Sequence, residues 1–175
     1  MSEDIRYPIG RFDWKGDVSP GDRAGHIAAI EAAPAGFRQA VAGLTESQLE
    51  TPYRDGGWTV RQVIHHVADS HMNSYVRFKL ALTEDDPTVK AYDEAAWARL
   101  SDSADTAVEV SLTLLDSLHR RWCALMRGMS DAEWKRTFRH PEIGPVALEK
   151  SLAGYVWHGK HHTAHIAELR RRNGW

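Results

Sequence analysis

Residues Thr59–Asp86 read TVRQVIHHVADSHMNSYVRFKLALTEDD. Thr59 and Gln62 form a capping box, and Val60, Val63, Ile64, Val67, Tyr75, Phe78 and Leu82 recur at helical spacing, which predicts one helix from about residue 60 to 83. Pro87 forbids its continuation. Projecting the helix at about 100° per residue puts His71 near the middle of the apolar stripe, His66 on one flank with Ser70, Asn73 and Arg77, and His65 on the far side. A lone histidine in an apolar stripe is more often a hydrogen-bonded core residue than a ligand, whereas a flank lined by polar side chains is what the mouth of a site needs. Periodicity therefore leaves His66 and His71 both open as metal ligands.

Upstream, TPYRDGG (Thr51–Gly57) breaks the chain, and Thr45 with Gln48 caps a short turn before it. His26, Ile27, Ile30 and Ala33 suggest a helix up to Pro34. Phe37, Ala40, Val41 and Leu44 continue the stripe beyond, so Pro34 is expected at a kink or a break. His26 reads as a surface or satisfied side chain. Residues 1–20, with Pro8, Gly10, Gly16 and Pro20, show no sustained period and suit an extended arm that packs on the domain or on a neighbour.

Downstream, AYDEAAWARLSDS supplies a short helical piece around Trp97, expected as a lid or a pocket wall. A long helix follows from about Ala104 to Met129, with Val108, Leu112, Leu115, Leu118, Trp122, Leu125 and Met126 on its face. His119 lies on the edge of that face and reads as a partly buried histidine bonding a neighbour. Ser130 and Glu133 cap a short turn, and TFRHPEIGPVAL (Thr137–Leu148) suits a loop or small hairpin, with His140 in it. The last helix is expected from about Leu148 to Arg172, ending on a basic turn and Gly174. Three long helices, with one or two more near the N-terminus and few strand signals, predict an all-α chain: a four-helix bundle with short extra helices and loops.

Within the last helix, GYVWHGKHHTAHI (Gly154–Ile166) holds four histidines and offers two i, i+4 pairs, His158 with His162 and His161 with His165. The apolar seam is Leu148, Leu152, Tyr155, Val156, Ile166 and Leu169. His162 lies at its edge and His158 beside it, while His161 and His165 are turned about a quarter-turn further toward solvent. The bundle-facing pair is His158 with His162, and His161 and His165 become supporting or alternate ligands. An exposed histidine face that picks up metal adventitiously is the plainer reading, but a solvated face would more naturally carry Lys and Glu. HGKHH contains no Glu, so the H-E-x-x-H hydrolytic mechanism does not apply. A third ligand must come from another helix, and histidine on the 60–83 helix is the natural donor. Three protein ligands leave positions open for water or substrate, as in a catalytic metal site.

The composition suits such a site. At 175 residues, with 42% hydrophobic and 26% charged residues and a formal net charge of -2, the chain reads as one domain over residues 1–175. It is long enough to bury a core without structural metal, and it has no electrostatic footprint for nucleic acid. The acidic start lacks the pattern of a signal peptide and no stretch is apolar enough to span a bilayer, so a cytoplasmic protein is expected. Cys123 is the single cysteine and sits in an apolar helical pattern, which suits a small buried residue better than a nucleophile.

GGWTVRQVIHHVADSHMNSYVRFKLALTEDDP, followed by YVWHGKHHTAHIAEL and a terminal RRNGW, resembles the YfiT branch of the DinB-like superfamily of metal-binding four-helix bundles. The likeness covers nearly the whole chain, including YPIG near the start and the TPYRDGGW loop. It implies that one histidine of the second long helix and two of the last bind one divalent ion per subunit, zinc or nickel, and it matches these to His66, His158 and His162. Where many members carry Gln after the second histidine of the pair, this chain has His165. The resemblance also implies a homodimer and a small-molecule reaction: hydrolysis, or S-transfer of a low-molecular-weight thiol of the bacillithiol type to an electrophile.

Three neutral imidazoles leave an ion its full charge, which suits either reaction. Asn73 and Arg77, on the His66 flank, are candidates for gripping the carboxylates of a thiol. Hydrolysis also wants a general base, and Asp69, a turn from His66, projects away from it. That tilts the expectation toward thiol transfer, with hydrolysis or a non-catalytic metal-binding bundle as alternatives.

Overall fold

The computed structural model describes residues 5–16 and 18–175; the first four residues of the expected arm, and Asp17, lie outside the described residues. Four long helices carry the fold: α1 (Pro20–Val41), α3 (Val60–Thr83), α6 (Val108–Arg127) and α8 (Leu148–Asn173). The short helices α2 (Glu46–Leu49), α4 (Glu94–Trp97), α5 (Ser101–Asp105) and α7 (Asp131–Trp134) lie between them. Strands β1 (Thr137–His140) and β2 (Gly144–Ala147) pair antiparallel as the hairpin, with Phe138 opposite Val146.

The sequence capping signals act where they stand. Thr59, Thr45 and Ser130 each accept from the backbone N–H three residues on and are answered in turn by Gln62, Gln48 and Glu133 in a reciprocal box. Gly174 closes α8 in the left-handed conformation at φ 70°, which glycine adopts without a Cβ penalty.

One helix boundary differs from expectation, and of the two alternatives expected at Pro34, a kink or a break, the break does not occur. The helix expected from Ala104 is two helices, because Thr106 is extended and its carbonyl leaves the ladder to accept from Arg61 Nη1 (2.9 Å) and His65 Nε2 (3.0 Å). Conversely, α1 runs unbroken through Pro34. Proline cannot donate to the carbonyl four residues back, so the carbonyl of Ile30 lacks its ordinary helical partner. It accepts instead from His119 Nδ1 of α6 at 2.6 Å.

In the bundle α1 packs on α6 and α8, and α3 packs on α6 and α8, so the order around it is α1–α6–α3–α8. The consecutive long helices α1 and α3 are therefore diagonal, as are α6 and α8. The core falls into two apolar clusters. One, toward the hairpin, contains Phe78, Trp122, Trp134, Phe138 and Leu152; the other contains Phe37, Val60, Ile64, Leu115 and Ile166. Along α3, α6 and α8 the histidines 71, 119, 158 and 162 fall between them, making a polar layer across the middle of the bundle. Among the described residues no helix is long and apolar enough to cross a membrane.

Candidate metal centre

One nitrogen from each of His66, His158 and His162 lies within 4.8 Å of the other two. His66 comes from α3 and the pair from α8, two helices that pack directly on one another. His66 Nε2 and His158 Nε2 are 3.2 Å apart. In a tetrahedral shell with bonds of about 2.0–2.1 Å the ligand atoms stand about 3.3 Å apart, so this separation is the edge of such a shell. Burial disfavours imidazolium at all three positions: it lowers His66 to about 4 and holds His158 and His162 well below the ordinary histidine value. Neutral imidazoles offer the lone pairs that a divalent ion requires. The donor set thus suits a divalent ion.

Behind His158 runs a line of hydrogen bonds that settles its tautomer. A carbonyl only accepts, so His119 Nδ1 carries the proton that Ile30 receives. Burial lowers His119 to about 4, so the ring is neutral and its Nε2 is an acceptor. His71 Nδ1, 2.8 Å away, therefore donates to it. His71 is held well below the ordinary value by complete burial, so its Nε2 accepts in turn, from His158 Nδ1 at 3.2 Å. The polarity leaves the lone pair of His158 on Nε2, facing His66. His71, which periodicity left open as a ligand, has both ring nitrogens committed to this line.

The rings around the cluster are close. Trp58, from the loop before α3, lies 4.5 Å from His66 between centroids, and Tyr155, one turn before His158, lies 5.6 Å from it. Tyr155 packs edge-on to His71 at 5.1 Å. Periodicity gave no signal for Trp58, because loop residues carry none.

His161 and His165 are not turned to solvent as expected; they are 7% and 3% exposed. Helical projection ignores what other segments lay over a face, and here the N-terminal arm and the Pro52–Trp58 loop cover it. His161 stacks on Trp157 (4.4 Å) and meets Tyr7, while His165 stacks on Tyr53 (4.1 Å) and donates from Nε2 to the carbonyl of Arg6 (3.2 Å).

A cavity of about 610 Å³ is lined by Ser70, Arg77, Tyr92, Glu94, His140 and Tyr155, among others; no cluster histidine lines it, and Tyr155 is the wall residue that packs against His158. Ser70 is one turn beyond His66 on α3 and Tyr155 one turn before His158 on α8, so the helices that carry the cluster also form the cavity wall. The entrance to α4 forms part of that wall, as expected of the segment before Trp97. Arg77 lines that cavity and donates from Nη2 to the Lys90 carbonyl at 3.4 Å, while Asn73 donates its amide to the Asp69 carbonyl of its own helix at 2.9 Å. Asp69 is pushed up to about 6 by burial and by the charge of Asp102 on α5. A second cavity, about 350 Å³, is lined by Tyr7, Tyr53, Arg54, Trp58 and His162 and reaches the cluster from the arm side.

Fold and site together define a helical-bundle protein with a buried three-histidine cluster spaced for a divalent ion. The family is specific: residues 29–166 match the DinB superfamily, and the chain belongs to it. It is 52% identical over 175 residues to a Bacillus subtilis protein named "Putative metal-dependent hydrolase YfiT", covering 99% of this chain and 98% of that one. A protein of the same description from Oceanobacillus iheyensis is 49% identical over 170 residues, covering 97% and 98%. The solved structure of YfiT, described as a probable metal-dependent hydrolase with an unusual four-helix bundle topology, superposes with a TM-score of 0.96 at 52% identity, covering 98% of each chain.

Proposed function

We propose that this chain is a metal-dependent hydrolase of small molecules, with its reaction centre held by His66, His158 and His162. The observation that carries the proposal is the 3.2 Å approach of two neutral imidazoles from different helices, one buried and one half-buried, with a third alongside. The relatives' names support the hydrolytic reading. A divalent ion there supplies Lewis acidity, enough to ionise water near neutral pH. The chain's own residues do the rest. Trp58 and Tyr155 screen the cluster from bulk water, and Arg77 orients an anionic part of the substrate in the adjoining cavity.

Arg77 also favours a second reading, S-transfer of a small carboxylated thiol of the bacillithiol type to an electrophile, in which its guanidinium would grip the carboxylate and an ion held by His66, His158 and His162 would favour the thiolate. The test is turnover by zinc- or nickel-loaded protein of ester and amide substrates, run beside thiols with a generic electrophile. Hydrolysis lost on chelation and restored by metal is the expected result. Activity only with thiols would replace the first reading by the second, and stoichiometric metal with neither activity would make the chain a binding protein.

A further inference from the structure

The line from Ile30 through His119 and His71 to His158 takes one residue from each long helix, in their order around the bundle: α1, α6, α3, α8. Its far end is fixed by Pro34, which has no N–H to offer the Ile30 carbonyl and so leaves it to His119. His71 and His119 are fully buried, at 0% and 1% exposure, and a polar layer at that depth is tolerated only when its hydrogen bonds are made. The line cannot carry protons away from the centre, because it ends on a backbone carbonyl that cannot be deprotonated or release a proton onward. Its fixed polarity does something else.

We infer that His71 and His119 are positioning residues that lock His158 in the Nδ1–H tautomer and aim its Nε2 at the metal position. This rests on the reading of His66, His158 and His162 as the metal centre. A histidine ligand whose second nitrogen donates to a fixed acceptor is oriented and made more basic, and loss of such an acceptor commonly weakens metal binding about 10- to 100-fold. Here the acceptor is itself a histidine, held in its own tautomer by a second one. The lock is therefore set by a proline in the helix diagonal to α3.

The test is zinc affinity by competition with a chromophoric chelator, together with nitrogen NMR of the histidine tautomers in the metal-free protein. His71→Phe removes the acceptor and is expected to lower zinc affinity about 10- to 100-fold. His71→Gln places a carbonyl oxygen near the lost Nε2 and is expected to recover most of it. His119→Phe, one link further away, is expected to cost affinity by a smaller factor and to release His71 from its single tautomer. Cooperative melting of each variant shows that the bundle is intact. Wild-type affinity in folded His71→Phe would overturn the inference, as would equal losses in His71→Phe and His71→Gln. In the wild-type protein without metal, His158 is expected to be protonated on Nδ1; protonation on Nε2 would refute the lock even if no metal binds. A wild-type chain that fails to bind zinc, cobalt or nickel while keeping that tautomer would instead refute the metal centre and spare the lock.

Discussion

The Ile30 carbonyl accepts the Nδ1 proton of His119 across a 2.6 Å bond that Pro34 leaves it free to make. A helix-breaking residue thus serves the interior of the bundle without breaking its helix. The same contact makes the histidine layer directional: each ring donates toward Ile30, and the last bare nitrogen is the one facing His66.

Each of the three cluster histidines should matter more to metal binding than any residue behind them. His66→Ala, His158→Ala and His162→Ala are each expected to weaken zinc by more than the roughly 100-fold upper range of an outer partner. Metal content after gel filtration checks this. Full occupancy in any one of the three would remove that residue from the centre.

His165→Ala should leave metal content unchanged and loosen the arm. The substitution removes the stack on Tyr53 and the bond to the Arg6 carbonyl. Limited trypsin digestion should then cut sooner after Arg6 or Arg11, while zinc stoichiometry stays at the wild-type value. Lost zinc with an intact arm would make His165 a ligand.

The metal-free protein should lose stability on mild acidification. His119 is held at about 4 in the folded protein and titrates at about 6.5 when unfolded, so between these values the unfolded chain binds the extra proton. Its contribution is complete above about pH 6.5 and is lost as the pH falls toward 4, by roughly 3 kcal/mol. Urea unfolding of the metal-free wild type and of His119→Phe at pH 7, 6, 5 and 4 measures it as the part of the acid loss that the variant lacks, the other buried histidines losing stability in both. A flat profile would mean that the layer is already protonated or solvated.

Phe78 is fully buried and meets Trp122 and Trp134 edge-on, at 5.3 and 6.2 Å. Phe78→Ala should cost about 3–5 kcal/mol of unfolding free energy through lost contacts and a cavity. Chemical denaturation checks this; a cost below about 1 kcal/mol would show that the hairpin-side cluster collapses around the gap.

The helices were legible in the sequence because their signals are local. The box of Thr59 and Gln62 and the stripe from Val60 to Leu82 need no partner to be read, and the seam of α8 separated His158 and His162 from the other pair. What could not be read depends on distant segments. His161 and His165 are buried because residues near Tyr7 and Tyr53 lie over them. The break near Thr106 exists because Arg61 and His65 claim its carbonyl. The geometry that sets His66 apart from His71 is also tertiary, since His71 is committed by His119 on α6. Pro34 was read as a kink or a break, and that the helix continues through it is tertiary too, because the carbonyl it frees has a use only once α6 is packed against it.

The most direct measurement is zinc stoichiometry with X-ray absorption of the loaded protein. The account predicts one zinc per chain with three imidazole nitrogens at about 2.0–2.1 Å and loss of one of them in His66→Ala. A chain that takes up no stoichiometric metal, or a first shell unchanged by His66→Ala, would contradict it.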